Sequence, residues 1–508
     1  MATVLLHIGT SGEDSMTMLQ INSYKRVGSA PVVHDRDGQL GTEVRLSEVI
    51  AGLSTALDLT EGQRPGHSVR SCAIGMRLTE VLGLSKELRS ALFYALLMKD
   101  LGCSSNASHF ATLFASDDQT LKTRLSLVNW SVALESFRFV AESVAPGLSW
   151  NRRVWQALAV FSKGPKGARD VVLTRCERGA EIAQMIGFAN ETVHAIRALD
   201  EHWDGHGQPY RLKGEEIPLL ARVMCLAQTV EIFFSTYGVL TAYDMAFERR
   251  GSWFDPALVD ALLSIRTDAA FWHWLGEGDT LREIGSVEPD DRVILADADR
   301  LDVVAEAFAR VIDAKSPWTY NHSNGVATLA VGIAETLGFA PGEVRELRRA
   351  ALLHDIGKLG VSNLILDKPD KLTNAEFEIV RRHPAHTEEI LGRVGCFRHL
   401  AELSAAHHER LDGTGYHRQR AEADLPQAAR LLCVADMADA LLSSRPYRPA
   451  LKTERVVEIM ARDVGTGLDP ECFGALKRVL SDAALTSFSE VPAARIVPAL
   501  ATDCYQAA

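Results

Sequence analysis

Histidine and aspartate set the first line of inquiry. Eight of the 16 histidines in this 508-residue chain fall between positions 322 and 417. A lone histidine is usually a satisfied helix or surface residue, but a cluster interleaved with carboxylates has the makings of a metal site. The stretch 342–359, GEVRELRRAALLHDIGKL, carries an apolar face of Val344, Leu347, Ala351 and Leu352 and ends in His354, Asp355 and Lys358. Read as one helix to Leu359, it projects these three side chains to one side, because Lys358 follows His354 by four residues and Asp355 by three. The imidazole and the carboxylate could each ligate one ion, or the carboxylate could bridge two. A lysine beside them fits a phosphate oxygen.

Further ligand types follow in order. His383-Pro384 comes first, then His407, His408 and Glu409 at the end of a helical run, AELSAAHHE. A turn from Leu411 to Tyr416 leads on to Asp436, inside the apolar helix RLLCVADMADALL. An acidic residue in such a run is rarely buried unpaired. Pairing with Arg430 or Arg445 would satisfy Asp436, and so would a metal shared with the histidines; five histidines in need of partners favour the metal. Nitrogen and oxygen donors without cysteine suit iron, manganese or zinc. Six or seven such ligands exceed one tetrahedral site. Two ions sharing Asp355 would use the set, lower the pKa of a bridging water and hold both oxygens of a phosphodiester displacement.

The elements that must position these residues are helical, and they occur twice. Segment 45–103 lies over 300–358 at a constant offset of 255, so that His67-Ser68 falls on His322-Ser323 and Asp100-Leu101-Gly102 on Asp355-Ile356-Gly357. At an offset of 208, Asp204-Gly205-His206-Gly207 falls on Asp412-Gly413-Thr414-Gly415, and Arg222 on Arg430. A third block pairs Phe254-Asp255-Pro256 with Leu468-Asp469-Pro470. Loop motifs kept in one order and register indicate a tandem duplication. The change of offset puts 47 extra residues in the first copy, between 104 and 174. The expected fold is all-α, as two tandem helical bundles. A flexible leader spans 1–40, the first copy 41–280, the second, catalytic copy 295–490, and a tail 491–508.

Bulk properties narrow the function class. The formal net charge of −12 argues against gripping long nucleic acid, and the C-terminal tail offers no basic recognition helix. The eight cysteines are scattered without a C-x-x-C pair, as free thiols in a reducing compartment would be. The N-terminus lacks signal-peptide character, and no apolar run of about 18 residues stands out. The resulting expectation is a cytoplasmic protein with no membrane partner.

With the motifs HDIGK, KPDKLTNAEFEIVRRHP, HHERLDGTGY and ADMADALLSSRPYR in order, the region 300–480 resembles the HD-GYP family of bacterial cyclic di-GMP phosphodiesterases, within the HD superfamily. The resemblance implies a metal centre of two divalent ions, iron or manganese, in an all-helical domain. It carries the ligands onto His322, His354, Asp355, His383, His407, His408 and Asp436. One ion would take His322, His354, Asp355 and Asp436, and the other Asp355, His383, His407 and His408. Substrate phosphate contacts carry over onto Lys358, Tyr416, Arg445 and Arg448. Asp355 and Lys358 would be the catalytic pair, with attack by a metal-bridged hydroxide. The implied reaction is hydrolysis of cyclic di-GMP to linear pGpG or GMP. The alternatives are another nucleotide such as 3',3'-cyclic GMP-AMP, and a non-hydrolytic nucleotide sensor or protein-binding regulator.

Two departures qualify the resemblance. The name-giving tripeptide reads Gly415-Tyr416-His417, with histidine in place of proline. Trp318 stands where some relatives carry a third-metal glutamate, so two ions are expected. His386, His399 and His417 match no ligand position and are expected on the surface. In the first copy only His67 and Asp100 survive; the other ligand positions hold Lys99, Arg175, Leu199, Asp200 and Gln228. Cys103 matches Lys358, and Tyr237 matches Arg445. That copy resembles an HD-GYP fold that has lost its metals, leaving it a regulatory or packing role, including a homodimer or a protein partner.

Overall fold

In the computed structural model the described residues are 44–485, apart from 131, 290–291, 320 and 445–448. The expected leader 1–40 and tail 491–508 lie outside them, as do Arg445 and Arg448. The first copy runs through α1 (Leu46–Thr60), α2 (His67–Val81) and α3 (Lys86–Leu97). Then come α4 (Ala107–Phe114), α5 (Asp118–Leu125) and α6 (Ala133–Ser143). The long α7 (Trp150–Ile186) leads to α8 (Asn190–Arg197), α9 (Leu219–Tyr237), α10 (Val239–Glu248), α11 (Pro256–Ser264), α12 (Ala269–Glu277) and α13 (Thr280–Glu283). The second copy has α14 (Ala298–Asp313), α15 (His322–Leu337), α16 (Pro341–Leu353), α17 (Asn363–Leu366) and α18 (Asn374–Val380). It closes with α19 (His383–Arg393), α20 (Arg398–Ala405), α21 (Gln427–Leu442), α22 (Thr453–Ala461) and α23 (Pro470–Leu485). The only sheet among the described residues pairs β1 (Val44–Arg45) with β2 (Leu295–Ala296), antiparallel, at the start of each copy.

The fold is all-α, as the helical period predicts. Local sequence sets many of its corners. Between α15 and α16, Gly338 takes a left-handed φ of 81°, which a side chain disfavours. Its N–H donates to Glu335 and that of Phe339 to Ala334, which ends α15. Pro341 then opens α16, where its missing N–H costs nothing.

The repeat recurs interaction by interaction. Asp58 accepts from the Ser68 backbone and hydroxyl, and Asp313 does the same for Ser323. Arg222 pairs with Asp255 as Arg430 does with Asp469, both at 2.7 Å. Glu201 accepts the N–H groups of residues 210–212, and Glu409 those of 418–420.

The two modules expected from the sequence share one continuous apolar core. Helix α1 of the first copy packs on α19 and on the turn at 356–360 of the second, while α14 packs back on α7. Helix α9 is long and apolar enough to cross a membrane by composition alone, but 67% of its most apolar window is buried in this core. That is the pattern of a core helix.

Candidate metal centre

The site is assembled at the ends of helices. α16 stops at Leu353 with His354 as its cap, and residues 356–360 form a tighter 3₁₀ turn. The expected helix to Leu359 is thus corrected. The reason is a close approach: a Cβ on Gly357 would stand 2.0 Å from the carbonyl oxygen of His383. Three residues per turn still leave Lys358 beside Asp355. His322 and His383 begin α15 and α19. α20 ends at Ala405, so His407 and His408 lie in the turn after it rather than within the helix. Asp436 sits mid-way along α21.

These elements converge in a buried cluster. The two oxygens of Asp355 face opposite ways. Oδ2 lies 3.6 Å from His322 Nε2 and 3.4 Å from His354 Nε2, whereas Oδ1 lies 3.3 Å from His383 Nε2 and 3.6 Å from His407 Nε2. Asp436 closes the first group, its Oδ1 3.2 Å from His322 Nε2 and 3.7 Å from His354 Nε2. His383, His407 and His408 bring their nitrogens within 4.8 Å of one another. All seven residues carried over from the motif meet here, around a carboxylate whose two oxygens face the two groups.

The ring nitrogens are already assigned. His354, His383 and His407 each direct Nδ1 at the carbonyl three residues back (Ala351, Val380, Ser404) at 2.6–2.7 Å. Donation from Nδ1 turns Nε2 of each ring inward, the atom a ligand would offer to a cation once deprotonated. His322 directs Nδ1 at Asp439 Oδ2, 2.6 Å away. His383 and His407 bring their Nε2 atoms 3.0 Å apart, while three inward atoms have nothing to bond: His322 Nε2, His354 Nε2 and Asp355 Oδ1 are buried without a hydrogen-bond partner. Orphaned donors of this type fit divalent cations.

The charges agree. Burial, reinforced by the neighbouring imidazoles, holds His407 well below its ordinary pKa, and burial brings His408 down to about 3. These rings are neutral at pH 7. At His354 burial is outweighed by Asp355 and Asp436, which lift it to about 10. At Asp355 burial is outweighed by Lys358 and His354, and at Asp436 by His322 and His354; both stay far below the carboxylate range. Positive charge is drawn to the place where a cation would stand.

Lys358 is partly exposed at the rim and salt-bridged to Asp355. Tyr416 lies over His408 with ring centroids 4.7 Å apart, and Arg381 stacks on it at 4.9 Å. Trp318 is half-buried and holds its N–H on Ser316 Oγ. Of the three histidines expected on the surface, His399 is half exposed and pairs with Glu346. His417 is tucked against Glu388. His386 departs from expectation, because its ring packs under Gly360 with Nδ1 buried.

Sequence reasoning missed Asp439 and Thr387. The Thr387 hydroxyl donates to the His354 carbonyl and accepts from Gly357 N–H, fastening α19 to the His-Asp turn. A signal for Asp439 was present: its match at offset 208 is Glu231, which pairs with His67 as Asp439 does with His322.

In the first copy the same space holds side-chain cations. Lys99, at the place of His354, is salt-bridged to Asp100, and Arg175, at the place of His383, to Asp200. Lys122 adds a third, 2.8 Å from Glu61. Glu61, Asp100 and Cys103 lie close enough to chelate, but these cations already meet their charge.

The HD domain family model matches residues 168–258 and 306–472, thus both copies. The 3'3'-cGAMP-specific phosphodiesterase 3 of Vibrio cholerae is 41% identical over 86% of this chain and 95% of its own length. A cyclic di-GMP phosphodiesterase response regulator of Xanthomonas campestris is 38% identical over 34% of this chain and 46% of its own. Among solved structures, a cyclic GMP-AMP specific phosphodiesterase of V. cholerae superposes with a TM-score of 0.60 at 35% identity, covering 87% of this chain and 98% of that one.

Proposed function

The chain belongs to the HD domain family, as one of its HD-GYP cyclic dinucleotide phosphodiesterases, and from that premise we propose that its substrate is 3',3'-cyclic GMP-AMP. One observation carries the choice. The relative aligned along 95% of its length, across both copies, bears that specificity in its name, while the cyclic di-GMP phosphodiesterases of X. campestris and Pseudomonas aeruginosa align with 34% and 32% of this chain. Cyclic di-GMP, the reading the motifs favour by themselves, becomes the second candidate.

The enzyme is metal-dependent. The donor set accommodates two divalent ions, and we assign it iron or manganese. His322, His354, Asp355 and Asp436 would hold one, and Asp355, His383, His407 and His408 the other. Ions there supply Lewis-acid charge and lower the pKa of water at the site. The remaining work belongs to side chains. Lys358, at the rim, meets the charge that develops on non-bridging phosphate oxygens. Burial keeps the Tyr416 phenol protonated, so it donates to the phosphodiester. Arg445 and Arg448 take the remaining phosphate contacts. The first copy, 41–280, is non-catalytic, its charge needs met by Lys99, Arg175 and Lys122.

The test is a panel of cyclic dinucleotides against metal-loaded protein, with product identification. Cyclic GMP-AMP should be opened to the linear dinucleotide with kcat/KM at least tenfold above that for cyclic di-GMP. The reverse ratio overturns the assignment. The double variant His354→Ala, Asp355→Ala should be inactive and depleted of metal; activity that survives it refutes the site.

A further inference from the structure

The 47 extra residues of the first copy build something the second lacks. α6 and the N-terminal half of α7 form a helical hairpin that packs with α4 and α5 around a small separate core, centred on Phe114, Leu121, Phe139 and Val140. Its outer face is apolar as well. Leu134 is 76% exposed, Phe137 58%, Trp150 75%, Trp155 74%, Leu158 53% and Phe161 48%. Phe137 and Phe161 stack across the two helices at 6.0 Å, so the patch is continuous from one helix to the other. Large side chains of roughly 150–250 Å² each, exposed to this degree, present roughly 800 Å² of apolar surface. The largest patch on a typical monomer is about 300–600 Å².

We propose that this hairpin is a self-association surface, and that its occupant is the same hairpin of a second copy of the chain, giving a two-fold, four-helix interface. Area supports it, since about 800 Å² per partner is what a stable interface buries. The rim supports it too. Glu135 and Glu142 lie among Arg138, Arg152 and Arg153 beside the patch, and Arg138 and Arg124 both pair with Glu142. A rim of both signs can complement itself across a two-fold axis, where each residue meets its counterpart's neighbour. The catalytic cluster is built from other elements, so association through the hairpin leaves it intact.

The experiment is sedimentation of the full-length protein from 0.1 to 50 µM. Dimers at micromolar concentration, converted to monomers by Trp155→Glu with Leu158→Glu, are the expected result. Both positions face solvent in the single chain, so the variant should keep its helical circular dichroism and its hydrolytic rate. Phe247→Glu, at an exposed apolar position outside the hairpin, should leave the dimer unchanged. A native protein still monomeric at 50 µM, or a dimer that persists in the double variant, overturns the proposal. So does a native monomer that co-sediments with phosphatidylglycerol vesicles through the same two residues, which would assign the face to lipid.

Discussion

The two oxygens of Asp355 look in opposite directions, and each faces imidazoles whose Nδ1 is already hydrogen-bonded. Three of those rings are held by backbone carbonyls of their own turn, but His322 depends on a side chain, Asp439. Carboxylate partners of ligating histidines raise ligand basicity and fix ring orientation. Asp439→Asn should therefore lower metal affinity about 10–100-fold with little loss of folding stability. Isothermal titration of the metal-free variant measures this; unchanged affinity would remove Asp439 from the site. At this scale the sequence was informative, because HDIGK and HHE name their chemistry in contiguous residues. Asp439 was hidden because a carboxylate three residues beyond Asp436 reads as another helix residue until His322 is brought against it.

At the scale of elements, the site depends on how closely two of them approach. The His-Asp turn touches the start of α19 so tightly that only glycine fits at 357, and Gly102 meets Arg175 in the same way in the first copy. Gly357→Ala should push α19 away from the turn, costing about 1–3 kcal/mol of stability, the range of overpacked core sites. His383 would move with α19, so bound metal should fall as well. Chemical denaturation with metal analysis tests both; an alanine variant of native stability and metal content would show the approach to be loose. The helix boundary here was misread for a physical reason. Ile356 and Leu359 continue the apolar period of α16, so periodicity alone extends the helix to Leu359. The carbonyl of His383, 26 residues further on, ends it. The helix of Asp436 was read correctly, since its apolar run needs no distant partner to explain it.

Across the whole molecule, the first copy holds the second by buried charge. Asp118 of α5 accepts from Lys315 Nζ at 2.8 Å and from the Asn363 N–H at 2.8 Å, with both charged side chains almost fully buried. Gln119 donates to the carbonyl of Leu359, at the end of the His-Asp turn. Removing one partner of a buried pair strands the other charge, at about 3–5 kcal/mol. Asp118→Ala should lower unfolding stability by about that amount in urea titration, and the second copy should unfold together with the first. A variant within 1 kcal/mol of the native protein would mean that the copies are stable separately.

The sequence by itself determined the all-helical class, the internal repeat and the seven residues that meet in the candidate metal centre, because each is written in residue identity, spacing or register. It also led to cyclic dinucleotide hydrolysis, through motifs whose order is itself information. It could not reveal that the modules share one core, that Lys99 and Arg175 stand in for cations in the first copy, that Asp439 orients His322, or that the hairpin of α6 and α7 turns an apolar face to solvent. Those facts depend on which distant side chains meet and which faces stay uncovered. Periodicity records that a face is apolar; only the packed chain decides what covers it.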